Sequence, residues 1–466
     1  MTLRLTPEVP VLQGRKVTVM GLGLFGGGVG VTRFLVRRGA AVTVTDQKPE
    51  RDLRESVEEL RGLPVTLHLG GHEERDFRDA DLVIVNPSVP ETHPLLGSAR
   101  ALETEMNLFF KLCRGARTVG ITGSNGKTTT TTLVGEILKR GPRRVWVGGN
   151  IGGSLLESVD EIREGDLVVL ELSSFMLENL GVLRRSPQVA VVMNLSPNHL
   201  DRHGSMEAYI RAKRQIVEHQ GPGDVKILNA DDPVVRAFGP ASPSRTCLFS
   251  LKEEVSSGAW TQGETVVLAM DGVRLSIDVS GRRIPGWFNL QNMAAAATAT
   301  YAAAGPEWPG WREACETVLG TFPGVEHRLE FVGEKLGVKY YNDSKATDAE
   351  ATIAALQTLP GPFVLILGGF DKKTPFDALA RVVSAGPVRT CILMGQTAPA
   401  LEAALRAQGR IPELVRVASL EEALRVPARR GETVLLSPAC ASWDMYRNFT
   451  ERGRAFKALV SGLPAG

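Results

Sequence analysis

Short runs of β-branched and apolar residues alternate with amphipathic stretches along most of the chain, with glycine or asparagine in the turns between them. The first example is the pair of apolar runs Lys16–Met20 and Ala41–Thr45, which flank a helical pattern from about Gly27 to Arg38. Alternation of this kind is typical of α/β layers in which most strands run parallel. The pattern therefore predicts an α/β fold.

Two further series follow, one from about residue 106 and one after the Phe-Pro-Gly turn near residue 323. At about 150 residues per domain, 466 residues fit three domains. We therefore predict domains over residues 1–106, 107–322 and 323–466. Residues 242–283 alternate apolar and polar side chains and predict short antiparallel strands, and residues 292–304 predict a helix. The strands predicted in these series are Thr118–Thr122, Arg144–Val147, Leu167–Leu170, Val189–Met193, Val338–Tyr341, Phe363–Leu367, Arg389–Met394, Glu413–Val417 and Thr433–Leu436.

Charge balance and cysteine content exclude several classes of protein. Lys plus Arg (54) nearly equals Asp plus Glu (52), without the basic excess typical of nucleic-acid binders. No apolar run approaches the ~18 to 20 residues that span a bilayer, and Glu8 interrupts the region where a signal peptide would be apolar. Five scattered cysteines without a CxxC pair exclude a disulfide or zinc scaffold. We expect a cytoplasmic, monomeric enzyme that binds neither nucleic acid nor membrane.

The most informative motif is Gly120-Ile-Thr-Gly-Ser-Asn-Gly-Lys-Thr-Thr-Thr130, which lies between a predicted strand and the helical pattern Lys127–Lys139. Glycines in such a loop let backbone N–H groups and the helix N-terminus point at phosphate oxygens. Lys127 is placed to reach the terminal phosphates of a nucleotide, and Thr128 to bind Mg²⁺. Ile121 stands where the strict pattern has glycine, so the loop is a variant. The residues expected to bind nucleotide phosphates here are Gly123, Ser124, Asn125, Gly126, Lys127, Thr128 and Thr129.

Two polar side chains follow strands of the same predicted sheet. Glu171 comes directly after Leu167–Leu170, and His199 follows Val189–Met193. Ligands of open parallel sheets bind beyond the carboxyl ends of the strands. Both side chains are therefore candidates to bind Mg²⁺ beside the nucleotide. Either residue alone is more often structural, but the phosphate loop nearby favours a metal site.

Lys213 stands in the middle of an apolar stripe on the helical pattern Ser205–Glu218. Such a lysine commonly extends its stem past the stripe and keeps its ammonium group in water. The alternative is that Lys213 faces inward, where desolvation lowers its pKa. A neutral amine can react with carbon dioxide and become a carbamate, which is an anion that binds metal. The sequence leaves both alternatives open.

The first predicted domain contains Gly21-Leu-Gly-Leu-Phe-Gly26 after a strand, and Asp46 ends the next strand 20 residues later. This spacing matches the dinucleotide-binding fingerprint. It indicates a nucleotide-type ligand on this domain, with Asp46 bonded to a sugar or a base. It does not identify NAD, and a plain glycine turn remains the alternative.

Three polar segments end strands of the third series, at residues 342–347, 368–373 and 437–442. The carboxyl ends of parallel strands share one sheet edge, where these segments would form an anion or carboxylate site. Lys345 and Lys372 would supply the positive charges. Thr347 and Ser442 would supply hydroxyl groups. Cys440 has no histidine nearby in sequence, which favours a buried small residue over a nucleophile.

Four motifs in this order resemble those of the Mur ligases of bacterial peptidoglycan synthesis. They are the Gly-Ser-Asn-Gly-Lys-Thr-Thr loop from residue 123, Glu-Leu-Ser-Ser-Phe at 171–175, Asn-Asp-Ser-Lys-Ala-Thr at 342–347 and Leu-Ser-Pro-Ala-Cys-Ala-Ser-Trp-Asp-Met at 436–445. The resemblance extends from Gly21 to Phe456. It implies a Rossmann-like N-terminal domain for a UDP substrate, a central P-loop-type ATP-binding domain, and a Rossmann-like C-terminal domain for the amino acid and nucleotide.

The resemblance also implies an activity. Mur ligases use ATP to join an amino acid to a UDP-linked muramoyl substrate. The motif Asp-Asn-Pro-Arg, by which diaminopimelate-adding relatives recognise their amino acid, is absent. The implied substrates are therefore UDP-N-acetylmuramoyl-L-alanine (UDP-MurNAc-L-Ala) and D-glutamate, joined through an acyl phosphate. The implied cofactors are ATP and two Mg²⁺ ions, with Lys213 as the family's carbamylated lysine.

The resemblance implies a role for each matching site residue. The catalytic residues would be Lys127, His199 and Lys213. The metal ligands would be Thr128, Glu171, His199 and Lys213. The UDP substrate would contact Leu24, Phe25, Asp46, Gln47, Lys48, Ser88, Asn150 and Ser173. Beyond the phosphate loop, ATP would contact Asn289, Asn292, His327, Arg328 and Asp343. D-glutamate would contact Lys345, Thr347, Lys372, Ser442, Trp443 and Phe449.

Three alternatives remain. The first is a related ligase with another acceptor, such as another Mur ligase or an enzyme like folylpolyglutamate synthase. The second is a dehydrogenase that uses Gly21–Gly26 to bind NAD, although this leaves the phosphate loop unexplained. The third is a nucleotide-binding protein without catalysis, which Glu171 and the lysines disfavour.

Overall fold

A computed structural model describes residues 5–6, 8–23, 26–113, 115–197, 199–284, 286–371 and 375–464. Three of the predicted site residues, Leu24, Phe25 and Lys372, lie outside the described residues. The strands form three sheets with helices between them, so the predicted α/β class is confirmed.

The described residues form twenty strands and sixteen α-helices. The strands are β1 (Lys16–Met20), β2 (Ala41–Asp46), β3 (Val65–Leu69), β4 (Leu82–Val85), β5 (Leu102–Glu103), β6 (Arg117–Thr122), β7 (Val145–Gly149), β8 (Leu167–Glu171), β9 (Val189–Val192), β10 (Val225–Asn229), β11 (Arg245–Ser250), β12 (Gly258–Gln262), β13 (Thr265–Met270), β14 (Val273–Asp278), β15 (Glu330–Lys335), β16 (Val338–Asn342), β17 (Phe363–Gly368), β18 (Val388–Met394), β19 (Glu413–Arg416) and β20 (Thr433–Leu436). The helices are α1 (Gly27–Arg37), α2 (Arg54–Glu59), α3 (Glu74–Arg78), α4 (Glu105–Leu112), α5 (Lys127–Leu138), α6 (Ser174–Leu183), α7 (Leu200–His203), α8 (Met206–Glu218), α9 (Pro233–Arg236), α10 (Trp287–Ala304), α11 (Trp311–Thr321), α12 (Ala349–Thr358), α13 (Asp377–Ala385), α14 (Ala398–Arg406), α15 (Leu420–Ala423) and α16 (Phe449–Ser461).

The first sheet has five parallel strands in the order β3-β2-β1-β4-β5. Helix α1 buries Val31, Phe34 and Leu35 in the same core as Val17 and Val19 of β1. Burial of this apolar stripe explains why the helical pattern after the first glycine-rich turn packs on the sheet. The turn itself lies at the carboxyl end of β1.

The second sheet has nine strands in the order β14-β13-β12-β11-β10-β9-β6-β8-β7. The strands from β7 to β12 in this order run parallel, and β12, β13 and β14 pair antiparallel. The predicted antiparallel region over residues 242–283 is therefore wrong for β11, which pairs parallel with β10 and β12. Side-chain alternation does not report strand direction. The helix predicted over 292–304 begins earlier, at Trp287, directly after Gly286 with φ of 96°.

The third sheet has six strands in the order β15-β16-β20-β17-β18-β19. Its first pair, β15 and β16, is antiparallel, and the other pairs are parallel. The carboxyl ends of β16, β17, β18 and β20 therefore meet at one edge. The three predicted polar segments follow β16, β17 and β20 at this edge.

The chain divides into two compact units. The first comprises residues 1–280 and 290–319 and contains the first two sheets, and the second comprises residues 281–289 and 320–466 and contains the third sheet. The finer boundaries near residues 106 and 323 stay predictions. No helix in the described ranges is both long and apolar enough to cross a bilayer.

Candidate active site

The phosphate loop joins β6 to α5 at the carboxyl edge of the nine-stranded sheet. Gly126 directly precedes the first helical residue with φ of 81°, and Gly123 has φ of 154°. A Cβ atom at Gly126 would lie 2.5 Å from Asn292 Oδ1, so this position requires glycine for both space and backbone conformation. The loop therefore leads directly into the N-terminus of α5, a helix end of the kind that binds anions.

The segment after β9 supports the phosphate loop from the neighbouring strand. The backbone N–H of Ser124 donates to Asn194 O at 2.8 Å, and that of Asn125 donates to Asn194 Oδ1 at 2.8 Å. The Ser124 hydroxyl also lies 3.0 Å from the Tyr209 hydroxyl. The prediction missed Asn194 and Tyr209, because Tyr209 belongs to the apolar stripe of α8 and nothing in the sequence marks its hydroxyl.

Two lysines converge on one carbonyl group of the phosphate loop. Lys127 Nζ donates to Gly123 O at 2.8 Å and Ser124 O at 2.9 Å. Lys213 Nζ donates to the same Gly123 O at 3.2 Å and to Thr122 Oγ1 at 2.8 Å. The structure therefore brings these two predicted catalytic residues together beside the predicted nucleotide-binding loop.

Lys213 is 2% exposed, so its side chain faces inward and does not extend to water. Burial holds the pKa of Lys213 well below its ordinary value, the charge of Lys127 lowers this pKa further, and Glu171 opposes the shift. The neutral amine is the reactive form of lysine. The environment of Lys213 is therefore suited to carbamate formation.

Glu171 is 2% exposed at the end of β8, one strand away from the phosphate loop. Its Oε1 accepts a hydrogen bond from Asn150 Nδ2 at 2.8 Å, whereas its Oε2 has no hydrogen-bond partner among the described residues. A buried carboxylate oxygen without a partner is costly unless a cation or a donor binds it. This oxygen fits a ligand of Mg²⁺.

His199 is exposed and precedes the short helix α7, with φ of 52°. Its ring lies 5.2 Å from the ring of Phe175, which follows Glu171 on α6. Among the described residues, no three His, Cys, Asp or Glu side chains group closely enough to hold a metal ion by themselves. A site that includes both Glu171 and His199 would therefore depend on the other predicted ligands, Thr128 and Lys213.

The carboxylate of Asp46, at the end of β2, accepts hydrogen bonds from two backbone N–H groups. Asp46 Oδ2 accepts from the backbone N–H of Gly23 at 3.1 Å, and Oδ1 accepts from that of Lys48 at 2.9 Å. Gln47 and Lys48 are exposed beside it. Ser88 follows β4 at the same edge, and its hydroxyl donates to Asn86 Oδ1 at 2.8 Å.

The two residues predicted to contact the muramoyl end lie on the nine-stranded sheet. Asn150 follows β7 and donates to Glu171, so its amide is already oriented towards the predicted metal ligand. Ser173 is the N-cap of α6, and its hydroxyl accepts from the Met176 N–H at 3.3 Å. Asn292, a predicted ATP contact on α10, accepts from Thr130 Oγ1 at 3.3 Å.

In the second unit, Asp343 is buried directly after β16. Its carboxylate accepts from Ser437 Oγ at 2.7 Å and from the Leu329 N–H at 3.2 Å. Burial raises the pKa of Asp343 to about 7, although these hydrogen bonds and nearby Arg328 oppose the shift. Three other residues of this unit are predicted ATP contacts. Of these, His327 and Asn289 are buried and Arg328 is exposed.

The predicted D-glutamate residues follow β16 and β20 at one edge of the third sheet. Lys345 is exposed, Thr347 is half-buried, and the buried Ser442 Oγ has no hydrogen-bond partner in the described ranges. Trp443 is 53% exposed, with its ring 5.4 Å from that of Phe370. Phe449 begins α16, and its ring lies 6.0 Å from that of His327.

Arg452 on α16 is 1% exposed and joins two of these strand ends. Its guanidinium group donates to Ser344 Oγ at 3.0 Å, Ser344 O at 2.8 Å and Cys440 O at 3.0 Å. Its Nη1 has no hydrogen-bond partner within the described part of the chain. The prediction missed Arg452, since a lone arginine in a helical pattern is usually a surface residue.

Three family profiles match the chain in sequence order. They are the N-terminal domain of MurD-like Mur ligases over residues 15–107, the Mur ligase middle domain over residues 121–300, and the Mur ligase glutamate ligase domain over residues 327–440. Together the three profiles follow the order of the three sheets.

Full-length relatives share a single name, UDP-N-acetylmuramoylalanine--D-glutamate ligase. The relative from Symbiobacterium thermophilum is 45% identical over 96% of this chain and 98% of its own length. The relative from Roseiflexus sp. is 44% identical over 97% of this chain and 99% of its own length. The relative from Clostridioides difficile is 37% identical, with coverage of 97% and 99%.

Solved structures with lower identity share the fold. UDP-N-acetylmuramate-alanine ligase MurC from Thermotoga maritima superimposes with a TM-score of 0.61 at 20% identity, covering 96% of this chain and 99% of that protein. A pseudomurein peptide ligase type C from Methanothermus fervidus gives a TM-score of 0.54 at 19% identity, with coverage of 96% and 99%.

Proposed function

The chain belongs to the Mur ligase family, and from this premise we propose that it is an ATP-dependent ligase that adds D-glutamate to UDP-MurNAc-L-Ala in peptidoglycan precursor synthesis. The observation that carries the proposal is the arrangement at the phosphate loop. Lys127 and Lys213 both donate to Gly123 O, and Glu171 keeps one buried carboxylate oxygen without a partner among the described residues. The names of the full-length relatives support the choice of D-glutamate.

Repulsion among anions is the main obstacle to this reaction, because a triphosphate and two carboxylate substrates must meet. The N-terminus of α5 and the ammonium group of Lys127 would bind the phosphates of ATP. The γ-phosphoryl group would move to a carboxylate oxygen of UDP-MurNAc-L-Ala, forming an acyl phosphate and releasing ADP. Positioning and charge stabilisation supply most of the catalysis in such transfers.

The amine of D-glutamate would then attack the carbonyl carbon of the acyl phosphate. The tetrahedral intermediate would expel phosphate, and the nitrogen would lose its proton to leave an amide. Lys345, Lys372, Thr347 and Ser442 would hold the carboxylates of D-glutamate, with Trp443 and Phe449 beside them. Exclusion of water protects the acyl phosphate from hydrolysis.

Mg²⁺, when bound, supplies positive charge that stabilises the phosphates. Thr128, Glu171, His199 and Lys213 would hold it in two sites. Lys213 would do so after its neutral amine forms a bond with carbon dioxide and loses a proton, because the carbamate is an anion. The negative charge of the carbamate would also offset the positive charge of Lys127. We further propose that the enzyme acts as a cytoplasmic monomer.

The test is an assay of ADP and phosphate release with UDP-MurNAc-L-Ala and a panel of D- and L-amino acids. We expect release only with D-glutamate, in proportion to a new UDP-linked dipeptide identified by mass spectrometry. The Lys127→Ala variant is the control for contaminating activity. Release with a different amino acid would support another acceptor. Nicotinamide binding detected by fluorescence, without ligation, would support the dehydrogenase alternative.

A further inference from the structure

Arg202 connects the loop after β4 to the helix that follows His199, and the proposed mechanism does not use it. We define the residues 86–89 as the substrate loop, since they include Ser88, which we assign to the UDP substrate. Arg202 Nη1 donates to Ser88 O at 2.9 Å. Arg202 Nη2 donates to Val89 O at 2.6 Å and to Pro87 O at 3.4 Å. One side chain therefore binds three successive carbonyl groups of the substrate loop.

The same guanidinium group also packs on an aromatic ring of α6, the helix that follows β8 of the nine-stranded sheet. Arg202 Cζ lies 4.7 Å from the centre of the Phe175 ring. The ring of His199 lies 5.2 Å from that ring, and the ring of His203 stacks on it at 5.2 Å with an interplanar angle of 12°. Phe175 thus binds three side chains from one segment, residues 199–203. It fixes this segment next to α6, the helix that follows Glu171.

The substrate loop has its own connection to the glycine-rich turn of the first sheet. Ser88 donates through its N–H and its hydroxyl to Asn86 Oδ1, at 3.0 and 2.8 Å. Asn86 Nδ2 in turn donates to Gly21 O at 3.4 Å. A continuous series of contacts therefore leads from Gly21 through the substrate loop and Arg202 to Phe175 and His199.

From these contacts we propose that Arg202 is a positioning residue for the UDP substrate. It holds the substrate loop at a fixed place relative to His199, so that the carboxylate of the bound substrate is presented to the ATP site. Arginine suits this role, because its planar fork of five N–H donors can bind several carbonyl groups while its face lies on an aromatic ring. A lysine would keep the charge but could not make this set of contacts. The inference rests on the proposed function.

The test measures binding of UDP-MurNAc-L-Ala by calorimetry to the full-length protein, without ATP. We expect Arg202→Ala to weaken binding about tenfold and Arg202→Lys about fivefold. The matched control is Arg38→Ala, because Arg38 also connects the first two sheets, through an ion pair with Asp160 at 2.6 Å, but touches no proposed substrate residue. We expect the control to bind within twofold of the wild type. Arg202→Ala should also lower kcat, with the KM for ATP unchanged.

A double-mutant cycle separates positioning from a general structural effect. Ser88→Ala should weaken binding severalfold in the wild-type background but less than twofold in the Arg202→Ala background, because the loop is then no longer held. Added methylguanidinium should restore binding to Arg202→Ala, whereas methylammonium should not. Thermal unfolding checks that each variant is folded, and Arg202→Lys decides the question if Arg202→Ala does not fold.

Several results would overturn the inference. They are equal binding by the wild type and both Arg202 variants, additive effects of Ser88→Ala and Arg202→Ala, or an equal loss in the Arg38→Ala control. Failure of the wild type to bind UDP-MurNAc-L-Ala would instead refute the proposed function, and the inference with it. The two failures are therefore distinguishable in the same experiment.

Discussion

Two of the polar sheet edges differ in how they carry charge. We call the edge at the phosphate loop of the nine-stranded sheet the first edge, and the edge at the strand ends of the third sheet the second edge. At the first edge, the side-chain nitrogens of Lys127 and Lys213 both donate to Gly123 O, and the carboxylate of Glu171 is buried. At the second edge, Arg452 is buried and donates to the carbonyl groups of Ser344 and Cys440, whereas Lys345 is exposed.

The difference indicates two ways to prepare a site for anions. The first edge has buried charges with incomplete partners, which favour a metal ion and a phosphate chain held in one place. The second edge has two strand ends joined by Arg452 and an exposed lysine, Lys345, which suit a small carboxylate that enters and leaves. Substitutions at the first edge should therefore affect the chemical step, and substitutions at the second should affect amino-acid binding.

The largest effect should come from Lys213→Ala. If Lys213 carries a carbamate, the variant loses a metal-binding anion, and activity should fall about 10³-fold, as for loss of a major electrostatic contact. Acetate at high concentration should restore part of the activity, because its carboxylate can occupy the vacated space. Phosphate release with and without acetate measures both effects.

Lys226→Ala is the matched control for Lys213. Lys226 is also fully buried, but it lies near the start of β10, where Nζ donates to Ser242 O at 2.7 Å and Ser244 O at 2.9 Å. Its loss should lower thermal stability while the activity of folded protein stays within twofold and does not respond to acetate. Full activity of Lys213→Ala would contradict the carbamate hypothesis.

Glu171→Gln should have the next largest effect at the same edge. The substitution retains an oxygen that can accept a hydrogen bond from Asn150. It removes the negative charge of Glu171, which we propose binds Mg²⁺. We expect kcat to fall about 10²-fold and the Mg²⁺ concentration for half-maximal activity to rise. A magnesium titration of phosphate release measures both quantities.

Glu103→Gln tests whether any buried carboxylate would give this result. Glu103 is fully buried and pairs with Lys111 in the first unit. Its neutralisation leaves the buried ammonium group of Lys111 without a counter-charge, which should destabilise the fold by about 3 kcal/mol without changing the magnesium dependence. An unchanged magnesium dependence in Glu171→Gln would remove Glu171 from the metal site.

At the second edge, Arg452→Lys should raise the KM for D-glutamate about tenfold, the equivalent of about 1.4 kcal/mol. Lysine retains the charge but cannot bind both Ser344 and Cys440. The KM for ATP should change by less than twofold. Arg389→Lys is the control, since Arg389 pairs with Glu432 near the amino ends of β18 and β20, away from the second edge. An equal change in both KM values would contradict the division of roles between the two edges.

Many of the strands that end at the two edges could be predicted from the sequence, because short apolar runs followed by glycine indicate buried parallel strands. The prediction for β1 and β20 agrees with the structure at both ends, and that for β8 differs by one residue. It did not include β3 or β10, and it did not include β15, which pairs antiparallel with β16 at the edge of its sheet. β3 and β15 lie at the edges of their sheets, where patterns are weaker than in strands buried on both faces. This reason does not apply to β10, which is buried in the interior of its sheet.

The residues that support the site were harder to predict than the residues within it. Glu171 and Lys213 stand next to recognisable patterns, a strand end and an apolar stripe. Arg202 and Arg452 act on residues more than one hundred positions away in the chain. Such contacts depend on the tertiary fold, and sequence spacing does not encode them. The same limit applies to Tyr209, whose hydroxyl meets the phosphate loop.

The last effect that we expect concerns stability at the second edge, and not activity. The pKa of Asp343 is raised to about 7 by burial, so the folded protein holds this proton more tightly than the unfolded chain does. Stability should therefore fall as pH rises from the ordinary range of an aspartate towards 7, and level off above it. The Asp343→Asn variant lacks this titration and should not lose the corresponding stability. The difference in unfolding free energy, variant minus wild type, should therefore increase by about 1 to 3 kcal/mol from pH 5 to pH 8. Denaturant unfolding at both pH values measures the difference.

Asp231→Asn is the reference for the loss of carboxylate hydrogen bonds. Half-buried Asp231 likewise accepts from a serine hydroxyl and a backbone N–H, those of Ser250 and Leu251. An Asp343→Asn effect that is the same at pH 5 and pH 8 would show that the carboxylate is already ionised at the lower pH, and that this edge carries a buried negative charge as the first edge does.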